Sequence, residues 1–301
     1  MRVAAVDCGT NSIRLLIRDL PGAELHREMR IVRLGEGVDQ TGMLSDAALE
    51  RTRLALVDYA ASCASYEVEK IRMVATSATR DASNRRSFVD LVTSALGVEP
   101  EVISGDEEAS LSFSGATADL PVDDGPFLVL DIGGGSTEFV LGTASVLAAR
   151  SVDVGCVRLT ERHLISDPPT RAQIAAATSD IDAALSLALS VVPAADARTV
   201  VGLAGSVTTL AALNLRLEAY DSAKIHLSRI TADQVRSLTD QLLGMSRAER
   251  AAMPVMHPGR VDVIGGGALV LRCIVDRLGL DDVLVSESDI LDGIAASMKE
   301  I

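Results

Sequence analysis

The stretch FLVLDIGGGSTEFVL (127–141) reads as an apolar strand, a run of three glycines and a second apolar strand. Glycine weakens a sheet, so three in succession mark a place where the backbone itself is needed at close quarters. Laid without a gap on VAAVDCGTNSIRLLI (3–17), the stretch pairs Asp7 with Asp131, Gly9 with Gly133 and Ser12 with Ser136. Each pair is 124 positions apart, and each copy sits in an apolar strand context. Self-similarity of this kind marks a duplicated structural unit. The fold predicted is α/β, built from two copies of one sheet-centred domain.

Working outward from the first copy, 3–7 and 12–19 read as strands joined by the turn CGTN, with a third strand near 26–34. Residues 45–64 read as a helix with Ser45 as its N-cap. A buried strand at 71–75, a helix over 84–96, the short strand EVIS (101–104) and a helix over 106–117 complete the half. The loop DLPVDDGP (119–126) is the expected boundary, giving domains 1–120 and 121–287. In the second half, helices are expected at 155–166, 170–191, from 207, and at 231–243, with strands at 199–204 and 283–286. GGG (265–267) reads as a turn inside helical sequence. A terminal helix (288–301, its core 289–299) is placed to pack back on the first domain.

Composition excludes several classes. The 301 residues are 48% hydrophobic and 23% charged, the profile of a globular protein with a sizeable core. No apolar run approaches the roughly 18 residues of a membrane span, and Asp7 interrupts any secretory leader. Four scattered cysteines, with no CxxC pair, read as reduced thiols, so the expected location is cytoplasmic. The net charge is −14, with no Trp, three Tyr and four Phe, which argues against a nucleic-acid partner. An anionic substrate remains compatible, because charge beyond roughly 8 Å is screened and a local site suffices.

Two glycine turns, each preceded by an aspartate, suit the gripping of phosphate: amides and hydroxyls face the anion, while the carboxylate holds a metal or orients a nucleophile. A plain hairpin turn is the competing reading for DCGTNS. Neither GLAGSV (202–207) nor GGG (265–267) fits a P-loop or a GxGxxG fingerprint. In TSATRDASN (76–84), Arg80 falls at the carboxyl end of a buried strand, where α/β sheets bind ligands. Arg85 and Arg86 read as solvated, and Arg14 follows the first turn. SGDEEAS (104–110) sets Asp106, Glu107 and Glu108 at a helix start. Acidic residues stabilise such a start, but three exceed that need, and one is a candidate general base. Spacing alone does not choose among them. The four histidines lack metal-ligand spacing.

Taken in order, DCGTNSIRLL, TSATRDASN, ISGDEEA, DIGGGSTE, VGCVRLTE, GLAGSVTTLA and RVDVIGGG resemble the exopolyphosphatase/guanosine pentaphosphate phosphatase family over nearly the whole chain. The resemblance implies a duplicated ribonuclease-H-like fold of the actin-like, sugar-kinase-like kind, with its site in the cleft between domains. It implies Glu108 as the base that activates water, and Asp131 and Glu138 as holders of Mg²⁺ (or Mn²⁺), with Asp7 a further carboxylate near the metal. Gly9, Thr10, Asn11 and Ser12 resemble one phosphate loop; Gly133, Gly134, Gly135, Ser136 and Thr137 resemble the other. Arg80 resembles the arginine that grips the terminal phosphate, and Gly205 and Ser206 line the same cleft.

The implied partner is inorganic polyphosphate or guanosine pentaphosphate, and the implied assembly a homodimer. The chain stops near 300, without the extra helical domain of longer members, and has no evident basic track, which favours short polyphosphate chains. Guanosine pentaphosphate hydrolysis is the rival within the family. A kinase or ATPase of the same superfold would need an adenosine pocket around GLAGS and GGG, and a catalytically dead phosphate sensor is the third alternative.

Overall fold

A computed structural model describes residues 1–298 of the protein. In chain order its elements begin with β1 (Arg2–Cys8), β2 (Ser12–Asp19), β3 (Glu24–Ile31), α1 (Val38–Thr41), α2 (Asp46–Ser65), β4 (Lys70–Ala75) and α3 (Ser77–Asp81). Then come α4 (Arg85–Leu96), β5 (Glu101–Val102), α5 (Gly105–Thr117), β6 (Phe127–Ile132), β7 (Thr137–Gly142), β8 (Val146–Val152), α6 (Cys156–Arg162) and α7 (Arg171–Leu189). The chain continues through β9 (Thr199–Leu203), α8 (Ala204–Asn214), α9 (Ser222–Ile225), β10 (Arg229–Thr231), α10 (Ala232–Gly244) and α11 (Arg247–Ala251). It closes with α12 (Ile264–Leu278), β11 (Asp282–Val285) and α13 (Ile290–Ser297). None of the helices described is long and apolar enough to cross a membrane.

The chain forms two compact units, one of Met1–Gly115 with the segment from Ile290, the other Ala116–Asp289. The first holds a five-stranded sheet in the order β3-β2-β1-β4-β5, and the second a six-stranded sheet, β10-β11-β9-β6-β7-β8. In the first, β1 pairs antiparallel with β2 and parallel with β4. In the second, β6 pairs antiparallel with β7 and parallel with β9. Both sheets are therefore an antiparallel meander extended on its other side by parallel strands, and the second adds β10 at the far edge. This mixed arrangement, made twice, is the duplicated ribonuclease-H-like α/β architecture.

Strand alternation explains why the first sheet is covered on both faces. Ala4 and Val6 of β1 join Leu56, Tyr59 and Phe88 of α2 and α4. Val3 and Ala5 point the other way and join Leu111 of α5 with Ile290, Leu291 and Ile294 of α13. Ser45 caps α2, its hydroxyl accepting from the Ala48 amide at 3.2 Å. The terminal helix thus packs on the first sheet; the part of it expected over 299–301 lies outside the described residues.

Two expectations are corrected. GGG (265–267) is not a turn: it lies inside α12 and is buried. A Cβ on Gly266 would stand 2.8 Å from the Cys156 carbonyl oxygen, and one on Gly267 2.1 Å from Ser206 Oγ. Three helical glycines cost about 1 kcal/mol each relative to alanine, and here they let α6 and α8 approach the backbone of α12. Likewise the helix expected from 207 begins three residues earlier, at Ala204. β9 passes directly into α8 at Ala204, which takes φ +67° at the junction. β8 and the short β10, α1, α3, α9 and α11 had no counterpart in the sequence reading.

Candidate active site

Each sheet opens with the same hairpin, and the turn is closed the same way. The Gly9 amide donates to the Ser12 carbonyl at 3.0 Å, and the Gly133 amide to the Ser136 carbonyl at 3.0 Å. What lies behind each turn decides its chemistry. In the second unit the Gly133 carbonyl accepts from the Cys156 amide at 3.0 Å. The Gly134 carbonyl accepts from the Val157 and Arg158 amides at 2.9 and 3.1 Å, and the Gly135 carbonyl from Arg158 Nε at 2.7 Å. In a trans peptide the N–H points opposite to its C=O. With three successive carbonyls tied back toward α6, the amides of Gly134, Gly135 and Ser136 are turned the other way, as an anion-binding nest requires. Gly155 permits this, since a Cβ there would stand 2.5 Å from the Gly134 oxygen.

The first unit builds its loop on the same plan with different parts. The Thr10 carbonyl accepts from Gly35 at 2.8 Å, and the Asn11 carbonyl from Val32 and Arg33 at 3.1 and 2.8 Å. The amides of Asn11 and Ser12 are thereby turned away from the 32–35 segment. Gly35 is required for the approach: its Cβ would lie 2.3 Å from the Thr10 methyl.

Behind the loops the two hairpins differ. Asp131 and Glu138 are direct partners across β6 and β7, so their side chains share one face, and both are buried. Glu138 Oε1 also accepts from Ser151 Oγ at 2.7 Å, which extends the polar row to β8. At the matching positions of the first unit stand Asp7 and Arg14, again direct partners. Arg14 donates to Asp7 Oδ2 from Nε at 3.1 Å and from Nη2 at 2.6 Å.

Two adjacent buried carboxylates suit a hard divalent cation, because both ionised side by side repel unless a cation lies with them. Magnesium commonly takes one or two carboxylates and completes its shell with water and substrate phosphate oxygens. Asp131 and Glu138 fit that demand. Among the described residues no group of three or more His, Cys, Asp or Glu is gathered as a metal cage, and Asp7 already has the Arg14 guanidinium.

Arg80 lies in α3, immediately beyond β4, and its Nη1 donates to Glu108 Oε2 at 2.9 Å and to the Ile103 carbonyl at 3.0 Å. Glu108 is buried in the first turn of α5, which is capped by Ser104 accepting from the Glu107 amide at 3.2 Å. Asp106 and Glu107 are not buried, which separates Glu108 from its neighbours in a way spacing did not. Arg86 is highly exposed and paired with Asp90 at 2.9 Å, a solvated arrangement as expected.

Of the remaining loop residues, Thr137 donates its hydroxyl to the Val154 carbonyl at 2.6 Å. Ser206 is buried against Gly267 and hydrogen-bonded to the Cys156 thiol. Both hydroxyls serve packing in this structure. Gly205 lies under the Arg260 guanidinium, 2.5 Å from where its Cβ would be, and Arg260 Nη1 donates to Thr209 Oγ1 at 2.9 Å.

Arg260 and Arg158 are the residues that the sequence reading passed over. Both sit in quoted segments, RVDVIGGG and VGCVRLTE, as arginines adjoining glycine-rich backbone. All four cysteines are free and buried; burial, and then the Asp7 charge, pushes the Cys8 thiol well up. Thiolate nucleophiles are thus disfavoured. Burial, and then Arg260, holds the His257 imidazole below its ordinary range.

Known proteins resemble this chain over its whole length. A model of the Ppx/GppA phosphatase family matches residues 18–300. Exopolyphosphatase 2 of Mycobacterium tuberculosis is 51% identical, over 99% of this chain and 98% of its own. The crystal structure of an exopolyphosphatase-like protein superposes with a TM-score of 0.95 at 43% identity, covering 99% of this chain and 98% of that one. An Aquifex aeolicus member of the Ppx/GppA family gives 0.80 at 30% identity, covering 100% and 98%. The chain belongs to the Ppx/GppA phosphatase family.

Proposed function

We propose that the protein is an exopolyphosphatase that hydrolyses the terminal phosphoanhydride of inorganic polyphosphate, releasing orthophosphate. The observation that carries the reading is the buried Glu108 held by Arg80 at 2.9 Å, in a chain half identical to an exopolyphosphatase.

The chemistry asked of the residues is modest. Phosphoryl transfer needs positioning and charge stabilisation more than covalent help. The amides of Asn11 and Ser12, and of Gly134 to Ser136, hold phosphate oxygens. Arg80 presents a planar guanidinium to the terminal phosphoryl group. Because Arg80 is ion-paired with Glu108 in this structure, an arriving phosphate competes for the guanidinium. Glu108 is then left to accept a proton from water as the water attacks phosphorus. Asp131 and Glu138 hold Mg²⁺ or Mn²⁺, which when bound neutralises phosphate charge. Asp7, already ion-paired with Arg14, is the further carboxylate that the family resemblance implies for the metal. Arg260, with its guanidinium over the backbone of Gly205, adds a cation for the phosphate chain.

Guanosine pentaphosphate, with a similar terminal phosphate, is the second substrate to test. A kinase or ATPase would need an adenosine pocket around GLAGS and GGG; GGG lies inside α12, packed against Cys156 and Ser206, which weighs against that reading. Phosphate release with Mg²⁺ from short polyphosphate, long polyphosphate, guanosine pentaphosphate and ATP, run in parallel, is the test. Release from short polyphosphate above the other three is expected. Activity confined to guanosine pentaphosphate moves the function to that nucleotide, and silence on all four restores the sensor.

A further inference from the structure

Arg72 lies outside the residues assigned so far. Strand alternation puts it on the same face of β4 as Val74, which packs with α5 and α13. Its guanidinium ties three elements together. Nε donates to Glu101 Oε1 and Oε2 at 3.1 and 3.2 Å, and Nη2 to Glu101 Oε2 at 2.7 Å. Nη2 also donates to Glu107 Oε1 at 3.0 Å, and Nη1 to Ser297 Oγ at 2.7 Å. One side chain thus joins the first residue of β5, the first turn of α5 and the last residue of α13. Only a planar fork with several fixed donors reaches three partners at once.

The helices it joins are already in backbone contact. A Cβ on Gly293 of α13 would stand 2.0 Å from the Leu111 carbonyl of α5. Asp292 anchors α13 to the β2–β3 side of the sheet, accepting from Arg27 Nη2 at 2.9 and 3.0 Å. The terminal helix is therefore a fixed wedge against which α5 rests. Glu107 is the residue of α5 that reaches Arg72, and the next residue is Glu108.

We propose that Arg72 is a positioning residue for hydrolysis: by bridging Glu107 and Ser297 it holds the first turn of α5 against the terminal helix and so fixes where the Glu108 carboxylate stands. The proposal rests on the reading of Glu108 as the base. Ion pairs whose acidic partners are about half exposed, as Glu101 and Glu107 are here (48% and 46%), contribute little to folding. A displacement of about 1 Å at a reacting group costs on the order of 10²-fold in rate. Arg72 therefore bears on turnover far more than on stability.

The experiment is steady-state polyphosphate hydrolysis by Glu107→Ala, Glu107→Gln and Arg72→Lys, with Glu108→Gln in the same series and urea midpoints for all. Glu107→Ala and Arg72→Lys are expected to lower kcat roughly 10-fold with KM within about twofold of wild type. Glu107→Gln, which keeps an acceptor oxygen for the guanidinium, recovers most of the loss. A kcat close to wild type in Glu107→Ala and Arg72→Lys overturns the proposal, as does a rise in KM at unchanged kcat. Near-normal turnover by Glu108→Gln sinks the reading beneath it instead. A Glu107→Gln variant as inactive as Glu107→Ala also overturns positioning, because Glu107 would then act through its charge.

Discussion

The two opening hairpins share their backbone and differ in one charge. Both close with a glycine amide on a serine carbonyl at 3.0 Å, and both tie the loop carbonyls to the segment that follows the third strand. At the cross-strand position beside the aspartate, however, the first unit has Arg14 and the second Glu138. In one hairpin the aspartate is ion-paired with the arginine opposite; in the other two buried carboxylates stand side by side. The two units share a backbone-braced loop and differ in the side chains behind it, an Asp–Arg ion pair in the first and two adjacent carboxylates in the second.

The largest effect is expected from making the second hairpin resemble the first. On the proposal that Asp131 and Glu138 hold the metal, Glu138→Arg replaces one of the two carboxylates with a guanidinium and should abolish Mg²⁺-dependent phosphate release, a fall on the order of 10³-fold or more. Calorimetric titration with Mg²⁺ checks this independently, and retained metal binding by the variant breaks the contrast. The reverse cut, Arg14→Ala, strips the guanidinium from a buried carboxylate and should cost about 3 kcal/mol of stability, read from urea unfolding. A loss of only a few tenths would make Asp7 as adaptable as a surface acid.

The glycines behind the loops come next. Gly155→Ala collides with main chain at Gly134, and Gly35→Ala with the Thr10 methyl. The former should cost about 1–3 kcal/mol and raise KM; the latter should cost less and be relieved by Thr10→Ser, which removes that methyl. Equal costs, or no relief, would mean the two loops are not braced as described.

The smallest effect is shared by both units. Burial pushes Cys63 in the first and Cys273 in the second up to about 11, from an ordinary value of 9.0. A thiol raised on folding stabilises fully below the unfolded value, and that contribution is lost as pH climbs from about 9 to about 11, where the unfolded chain alone gives up its proton. Folded protein at pH 8 should leave a thiol reagent unconsumed, with reaction beginning only on unfolding.

Much of this was legible from one dimension. The hairpins were readable because Asp, Gly and Ser recur in register with apolar flanks, and Ser45 announced its helix. GGG (265–267) was misread because a glycine run has one appearance in a turn and in a tightly packed helix; only Cys156 and Ser206, distant in sequence, distinguish the two. The pairing of Arg80 with Glu108 joins residues 28 positions apart, so no local pattern signals it. It is this pairing, with the burial of Glu108 alone among three adjacent acids, that singles out one carboxylate.

The most direct measurement is therefore phosphate release from polyphosphate with Mg²⁺ by wild type and Glu108→Gln, alongside substrate binding to each. A variant that binds nearly as well and turns over about 10²–10⁴-fold more slowly is what the loss of a general base produces. Turnover close to wild type would contradict the assignment of Glu108 and move the base elsewhere.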